Sequence, residues 1–401
     1  MTAYEGATGD HEEQGQDAMT QEGDGRRFGD GLAAGPDLEG AAEVAVAQAL
    51  AGLDGATPDL LAVFVAAGPR QDPDLAGAAG LRAMELAGAR AAFGSTASGV
   101  IGDGHGREQG PAVAVWAAVL PGVTIETMRL SARLVDGDVV LDGVPGQGGG
   151  VLAAVLDPYT FPVTTFLERL APDLPVVGGL AGSAGPGSTR LFVDGEVLTR
   201  GGVGVRLGAG AGARTVVSQG CRPIGHPMTV TRAERNLMLE LAGMPAYRRL
   251  VEIVTALPPA EQELVARGLH VGVAIDEYAD DHGRGDFLVR GVLGVDEQGG
   301  AVAVGDVVEV GQTVRFQVRD AAGAGEDLVE LLGGRPARGA LLFSCNGRGT
   351  AMFPDADHDV RTVRTALHAD GVAGFFAAGE LGPVGGRNHL HAFTASVLAF
   401  D

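Results

Sequence analysis

The order of apolar patterns along the first half of the chain constrains the fold more than any other feature. A helical pattern over 37–53 precedes the buried-strand run LLAVFVAAG, and a second helical pattern covers 72–89. Two more strand patterns follow, and the second alternates as a half-exposed antiparallel strand does. Antiparallel strands mixed with helices indicate an α+β fold rather than a doubly wound parallel sheet.

A similar order recurs over 151–207, with a strand, a helix, a strand, a small-residue loop and antiparallel strands. The two small-residue loops, FGSTASG and GGLAGSAG, occupy corresponding places. We therefore expect an internal duplication in the first of two lobes. The sheets are expected to be mixed, largely antiparallel and packed against helices.

The second half begins near residue 223, where the pattern changes. Thr231 and Glu234 have the spacing of a capping box, which predicts the start of a helix. Further helical and strand patterns follow, and two core-facing strands, VAGFFAAGE and HAFTASVLAF, close the chain. The predicted organisation is a disordered acidic tail over 1–36 and two domains over 37–222 and 223–401.

The charge and length of the chain narrow its partners and its location. The 401 residues carry a net charge of -22, which disfavours nucleic acid and anionic membrane surfaces. No apolar run reaches about 20 residues, so no membrane insertion is expected. The acidic N-terminus does not resemble a secretory signal, and the two cysteines form no paired framework. We expect a cytoplasmic protein.

The absence of lysine excludes several kinds of chemistry. All 29 basic residues are arginine. Walker A phosphate loops, pyridoxal phosphate Schiff bases and lysine general bases are therefore excluded. Hydrolase signatures of the G-x-S-x-G and H-E-x-x-H types are also missing.

The stretch FFAAGELGPVGGRNHLHAF, residues 375–393, carries an acid with a site-like setting. Glu380 follows an apolar strand and precedes a Gly-Pro turn. Its carboxylate either binds a cationic group or pairs internally with Arg348 or Arg387. Catalysis usually needs two opposed titratable groups, and only this acid has such a setting, so recognition of a small polar molecule is favoured.

Cys345, at the end of the strand GALLFSC, has four open interpretations. It is a small buried hydrophobe, a pocket residue, a nucleophile, or a metal ligand together with His389 and His391. The two histidines lie on one face only if their stretch is a strand. A fourth metal ligand is missing from the pattern, which weakens the metal interpretation.

The segments ALLFSCNGRGTAMF and VAGFFAAGELGPVGGRNHLHAFTASVLAF resemble the C-terminal half of the FIST sensory domain. The matching residues are Ser344, Cys345, Arg348, Gly349, Gly374, Phe375, Gly379, Glu380, Gly382, Pro383, His391 and Thr394. Leu381 stands where the family often has isoleucine. The stretches FGSTASG, VVGGLAGSAG and FVDGEV are similar to the N-terminal half, although the family's usual GCST reads GST here.

The resemblance implies a FIST N-terminal-like domain over 37–222 and a FIST C-terminal-like domain over 223–401. It implies a ligand-sensing module of bacterial signal transduction that binds small molecules such as amino acids. Some relatives are haem proteins that sense nitric oxide. Because the two halves account for nearly all of the chain, we expect output through a separate signalling protein.

We therefore expect a non-enzymatic cytoplasmic sensor without a metal site and without a cofactor other than haem. Glu380 would hold a cationic group and Arg348 an anionic one, which suits an amino-acid zwitterion. The predicted ligand-binding residues are Cys345, Arg348, Glu380, Asn388, His391, Thr394, Ser95 and Ser183. The alternatives are a haem sensor with His391 or His226 as axial ligand, and an enzyme with Cys345 as nucleophile and His391 as base.

Overall fold

The computed structural model describes residues 25–68, 72–182, 184–279, 282–283 and 285–401. The helices of this part are α1 (Leu38–Ala51), α2 (Pro73–Ala87), α3 (Val163–Arg169), α4 (Ala246–Ala256), α5 (Pro259–Arg267), α6 (Ala321–Leu332), α7 (Gly349–Met352) and α8 (His358–Leu367). The strands up to residue 223 are β1 (Arg27–Ala34), β2 (Leu60–Ala66), β3 (Ala91–Ala97), β4 (Gly99–Gly102), β5 (His105–Arg107), β6 (Ala112–Val119), β7 (Ile125–Val135), β8 (Asp138–Asp142), β9 (Val151–Leu156), β10 (Val176–Leu180), β11 (Leu191–Val193), β12 (Glu196–Leu198), β13 (Gly202–Leu207), β14 (Ala213–Gln219) and β15 (Cys221–Pro223). The later strands are β16 (Met228–Glu234), β17 (Leu237–Leu241), β18 (Met244–Pro245), β19 (Leu269–Ala274), β20 (Phe287–Asp296), β21 (Ala301–Val304), β22 (Thr313–Arg319), β23 (Gly339–Cys345), β24 (Gly371–Ala377), β25 (Glu380–Val384), β26 (Arg387–His391) and β27 (Thr394–Phe400).

Three of the sheets each contain four strands that are arranged in the same way. We call these three groups of four strands units 1, 2 and 3. In each unit two parallel strands follow one another in the chain and are joined through a helix. A later strand runs antiparallel beside the first of the pair, and the unit's first strand lies beyond it. The strand orders are β1-β6-β2-β3 in unit 1, β7-β13-β9-β10 in unit 2 and β14-β27-β23-β24 in unit 3.

The predicted α+β class with mixed sheets is confirmed, but the repeat occurs three times rather than twice. The third unit was missed because an insertion separates β14 from the other strands of that unit, β23, β24 and β27. The boundary predicted at 222–223 falls inside unit 3, since β14 precedes it and pairs with β27.

A glycine recurs at the same place in the second parallel strand of every unit. Gly94, Gly178 and Gly374 lie directly opposite a residue of the first parallel strand. A Cβ on these glycines would lie 1.8, 1.8 and 1.7 Å from the carbonyl oxygen of that opposite residue. Glycine is therefore required for the two strands to approach this closely.

The hairpin that follows each parallel pair joins the sheet of another unit. The hairpin β4–β5 of unit 1 pairs with β24 of unit 3, and β11–β12 of unit 2 pairs with β3 of unit 1. The hairpin β25–β26 of unit 3 pairs with β10 of unit 2. The three units thus exchange hairpins in a cycle.

One apolar core lies between the three sheets. Phe64 of unit 1 contacts Phe343 and Phe375 of unit 3, with ring centroids 6.2 and 5.0 Å apart. Val155 and Val177 of unit 2 belong to the same core. The outer faces are covered by α1 and α2 in unit 1, α3 in unit 2, and α6 and α8 in unit 3.

The carboxyl ends of the three parallel pairs meet at one end of this core. A Cβ on Gly182 would lie 3.4 Å from Ser98 Oγ and 3.5 Å from the Ala378 Cβ. The Ser98 hydroxyl donates a 2.8 Å hydrogen bond to Asn346 Oδ1. Strand ends that converge in this way form the usual position for a ligand site in a sheet with parallel strands.

The segment between β14 and β23 forms a fourth sheet, which we call the inserted sheet. Its strands β15–β22 pack with α4 and α5 around a separate core. The pairings of β22 with both β16 and β19 close six of these strands into a ring.

Three predictions about local structure are wrong. The helix predicted from Thr231 is the strand β16, where the Thr231 hydroxyl accepts a hydrogen bond from Gly243 N–H at 3.0 Å. The predicted loop FGSTASG lies mostly within β3, because small residues fit a strand that is buried throughout. The predicted disordered tail contains β1, whose residues Arg27–Ala34 all pair with β6. Residues 1–24 of that tail lie outside the described part.

In the described part of the chain, no helix is both long and apolar enough to cross a membrane.

The repeated glycine gives a test of the close strand approach. Gly374→Ala should lower the free energy of unfolding by about 3 kcal/mol or more, because the new methyl group collides with a backbone carbonyl. Gly291→Ala is the matched control, since its Cβ meets nothing within 4 Å in strand β20. Urea unfolding midpoints measure both variants. Equal effects of the two substitutions would contradict the steric explanation.

Candidate functional site

Three predicted residues meet at the carboxyl edge of the unit 3 strand pair. Cys345 is the last residue of β23, Glu380 the first of β25 and Thr394 the first of β27. Each is at most 8% exposed. The strand ends come together because β23 lies between β24 and β27, and β25 follows β24 after a two-residue connection.

The Glu380 carboxyl is fully buried and only partly bonded. Its Oε2 accepts hydrogen bonds from the Thr394 N–H at 3.1 Å and from the Thr394 hydroxyl at 2.8 Å. Its Oε1 has no hydrogen-bond partner among the described residues. Burial raises the pKa of Glu380 to about 8, against the lowering effect of the Thr394 bonds. The carboxyl is therefore largely protonated at neutral pH.

The Cys345 thiol adjoins this carboxyl, and its side-chain contact with Glu380 is a further influence that lowers the pKa of the carboxyl. Burial raises the pKa of Cys345 far above its usual range, and ionisation of Glu380 would raise it further. A thiol with a raised pKa is a poor nucleophile, because the thiolate is the reactive form. The predicted base His391 donates its Nε2–H to the Gly382 carbonyl at 3.0 Å. The predicted nucleophile and base therefore have no activating contact in this arrangement.

Arg348 is fully buried and forms an ion pair that the sequence analysis missed. Its Nε and Nη2 donate to the two carboxylate oxygens of Asp359 at 2.7 and 2.9 Å. The Ser344 hydroxyl donates to Asp359 at 2.7 Å, and His358 Nδ1 lies 3.0 Å from it. Arg348 holds the pKa of Asp359 well below its usual range despite burial. The remaining nitrogen, Nη1, has no hydrogen-bond partner among the described residues.

The Arg348 pair was missed because Asp359 lies in the first turn of helix α8, where an acid has an ordinary explanation. Its spacing from Arg348 carries no recognised motif. The stretch NGRGT around Arg348 is polar and glycine-rich, so no local pattern marked this arginine as buried.

Asn388 and His391 lie beyond the Glu380 cluster, on the hairpin β25–β26. Both polar atoms of the Asn388 side-chain amide bond to the backbone. Its Oδ1 accepts from Val176 N–H and its Nδ2 donates to the Leu174 carbonyl, each at 2.9 Å. His391 pairs with Glu380 across the hairpin, and burial lowers its pKa to about 4. The Asn388 hydrogen bonds fasten the hairpin onto unit 2.

The serines predicted from the first half are not part of the cluster as described. Ser95 is buried in β3, and its Oγ has no hydrogen-bond partner among the described residues. It occupies the place of Phe375 in the repeat, next to the shared glycine, and so belongs to the core between the sheets. Ser183 lies outside the described residues.

A groove of about 750 Å³ runs along the other side of the hairpin. It lies between α3, the hairpin and the inserted sheet, and its lining includes Asn388, His389 and His391. The Nε2 of His389 is buried and has no hydrogen-bond partner in the described part of the chain. Across the described ranges, no three His, Cys, Asp or Glu side chains are grouped so that they could hold a metal ion.

Comparison with known proteins gives the family of this chain. Residues 59–244 match the FIST N domain and residues 244–383 match the FIST C domain. The chain is 46% identical over 391 residues to an uncharacterized protein of Mycobacterium tuberculosis (strain ATCC 25618 / H37Rv), covering 93% of this chain and 99% of the relative. It is 45% identical over 386 residues to an uncharacterized protein of Mycobacterium bovis, covering 93% and 98%.

The chain belongs to the FIST family, as its motifs indicated. FIST domains are generally sensory domains of signal transduction proteins. Arg348 lies near enough to Cys345 and Glu380 for both groups to raise its pKa, so it belongs to the same cluster. The cluster of Cys345, Arg348, Glu380 and Thr394 lies in the C-terminal half of the protein.

The raised pKa of Glu380 predicts a specific pH dependence of stability. Between the ordinary pKa near 4.5 and about 8, the folded protein keeps a proton that the unfolded chain releases. The free energy of unfolding should therefore fall as pH rises through this window, by at most about 1.4 kcal/mol per pH unit. Glu380→Gln cannot titrate, so its stability relative to the native protein should improve from pH 5 to pH 8.

Chemical unfolding at several pH values measures this difference. Glu263→Gln, at an exposed carboxyl of α5, is the control and should show no such trend. A difference between Glu380→Gln and the native protein that is constant from pH 5 to pH 8 would contradict the raised pKa.

Proposed function

We propose that this protein is a cytoplasmic, non-enzymatic sensor that binds a small polar metabolite at the Cys345–Glu380–Arg348 cluster. The observation that carries the proposal is the pair of buried, unbonded atoms, Glu380 Oε1 and Arg348 Nη1, among the described residues. Buried polar atoms are almost always hydrogen-bonded, and exceptions occur at functional sites.

An amino acid or a similar metabolite suits the two atoms. The Glu380 carboxyl can accept an ammonium group, and the Arg348 Nη1–H can donate to a carboxylate or amide oxygen. Asp359 holds the guanidinium in place, so the donor is oriented before a ligand arrives. Thr394 orients the carboxyl in the same way.

A thermal-shift screen tests the proposal. The probes are the common amino acids, together with matched amines and carboxylic acids that carry only one of the two groups. A ligand present at 100 times its Kd should add about 2.7 kcal/mol of stability and raise Tm. Affinity should increase from pH 6.5 to pH 8, because an ammonium group replaces the proton on Glu380.

The variants Glu380→Gln and Arg348→Lys locate the binding site. Arg348→Lys keeps a positive charge beside Asp359 and removes the guanidinium fork. A responding compound should lose affinity in both variants. Unchanged affinity in both would show that the compound binds elsewhere, and a screen without any responding compound would count against this function.

Haem binding is the second candidate function, and the position of His389 is the observation that favours it. Of the two predicted axial residues, His226 is exposed and His391 is enclosed with its Nε2–H donating to backbone. His389 instead lines the groove of about 750 Å³ with an unbonded Nε2 among the described residues. Haem bound there would supply an iron centre for a gas ligand.

Reconstitution with haem tests this candidate. A Soret band that is lost in His389→Ala and kept in His226→Ala would support it. The absence of a stable Soret band in the native protein would exclude it. The signalling protein expected as a partner stays a prediction.

A further inference from the structure

Phe393 connects the ligand cluster to the inserted sheet. It directly precedes Thr394, whose N–H and hydroxyl bind Glu380. Its carbonyl accepts a 2.8 Å hydrogen bond from Gly220 N–H, at the point where the chain leaves unit 3 for the inserted sheet. Phe393 is thus linked to the ligand cluster through its neighbour Thr394, and to the start of the inserted sheet through its own carbonyl.

The Phe393 ring covers the Cys345 side of the cluster. A Cβ on Gly347 would lie 2.6 Å from the Phe393 ring and 3.7 Å from Cys345 Sγ. The Phe393 ring and the Cys345 thiol therefore both lie beside Gly347, and the absence of a side chain at Gly347 leaves room for the ring. Phe393 itself is half-buried, whereas Cys345, Glu380 and Arg348 are buried.

The Phe393 backbone has a conformation that costs free energy. Its φ is +62°, in the left-handed region, which a bulky side chain rarely adopts. Such a conformation persists only where surrounding contacts impose it, and it is common in segments that switch. A backbone conformation with negative φ at this position would relieve this cost.

The other face of the ring contacts the inserted sheet. The His270 ring of β19 lies edge-on against it, with centroids 4.2 Å apart. The guanidinium of Arg319, on β22, lies 6.0 Å from the centre of the Phe393 ring. His270 is buried, and its Nδ1 has no hydrogen-bond partner among the described residues. His270 thus contacts Phe393 through its ring, while a backbone hydrogen bond with Gly268 also holds it.

We propose that Phe393 is a movable cover of the ligand cluster, and that its movement is transmitted to the inserted sheet through His270. The inference rests on the proposed function, because it gives the route by which a metabolite reaches Glu380 and Arg348. When the ring leaves Gly347, the contact with His270 changes at the same time. Ligand binding at the cluster and the conformation of the inserted sheet are then coupled through the Phe393 side chain.

The experiment uses the two cysteines of the chain and needs no ligand. Cys221→Ser removes the other thiol, so that iodoacetamide reports on Cys345 alone. In this background, Phe393→Ala should increase the alkylation rate of Cys345 by about tenfold or more, because removing the cover favours local opening. Phe393→Tyr keeps the ring and should react at the reference rate.

Gly347→Ala provides a second variant that leaves Phe393 in place. Its methyl group displaces the ring and should also accelerate alkylation. Urea unfolding of every variant establishes that the folded state is being labelled. If neither Phe393→Ala nor Gly347→Ala accelerates alkylation, Phe393 is not the cover.

Amide hydrogen exchange tests the transmission. Strand β19, Leu269–Ala274, should exchange faster in Phe393→Ala than in Phe393→Tyr. Faster alkylation with unchanged exchange in β19 would overturn the route through His270. These results are separate from the ligand screen, so failure of the screen with the expected labelling would contradict the proposed function and not the cover.

Discussion

The inner faces of the three unit sheets impose the main constraint on this fold. They are apolar, and the helices cover only the outer faces, so the sheets must cover one another. Closure around one core brings the carboxyl ends of the three parallel pairs together. The three units repeat the strand arrangement but not the residues of the cluster. Positions equivalent to Cys345 and Glu380 were found by counting from the shared glycine. They hold Ala66 and Val100 in unit 1, and Asp157 and Ala184 in unit 2.

Charge balance explains how the buried cluster is held in a neutral state. Asp359 already offsets the charge of Arg348, so ionisation of Glu380 would leave one uncompensated negative charge in the interior. Retention of the proton on Glu380 avoids this cost, and a cationic group of a ligand can take the proton's place. The same balance keeps Cys345 as a thiol, which suits recognition better than covalent chemistry.

The sequence predicted the elements with strong local patterns and the residues with a family motif. Cys345, Glu380 and Thr394 were expected together and are together. Prediction from the sequence failed where pairing between distant segments determines the local structure. Strand β1 has little apolar pattern and depends on β6, and Thr231 has a capping spacing that β-pairing overrides. Asp359 and His270 carry no motif, since their importance comes from partners that only the fold brings near.

The cyclic exchange of hairpins has a consequence for the two domains of the family. Cutting the chain near residue 244 would separate β10 from β25 and β14 from β27. Each fragment would then expose strand edges that are hydrogen-bonded in the whole protein, and exposed edges promote aggregation. We therefore expect that the N and C domain stretches of this chain do not fold independently of each other.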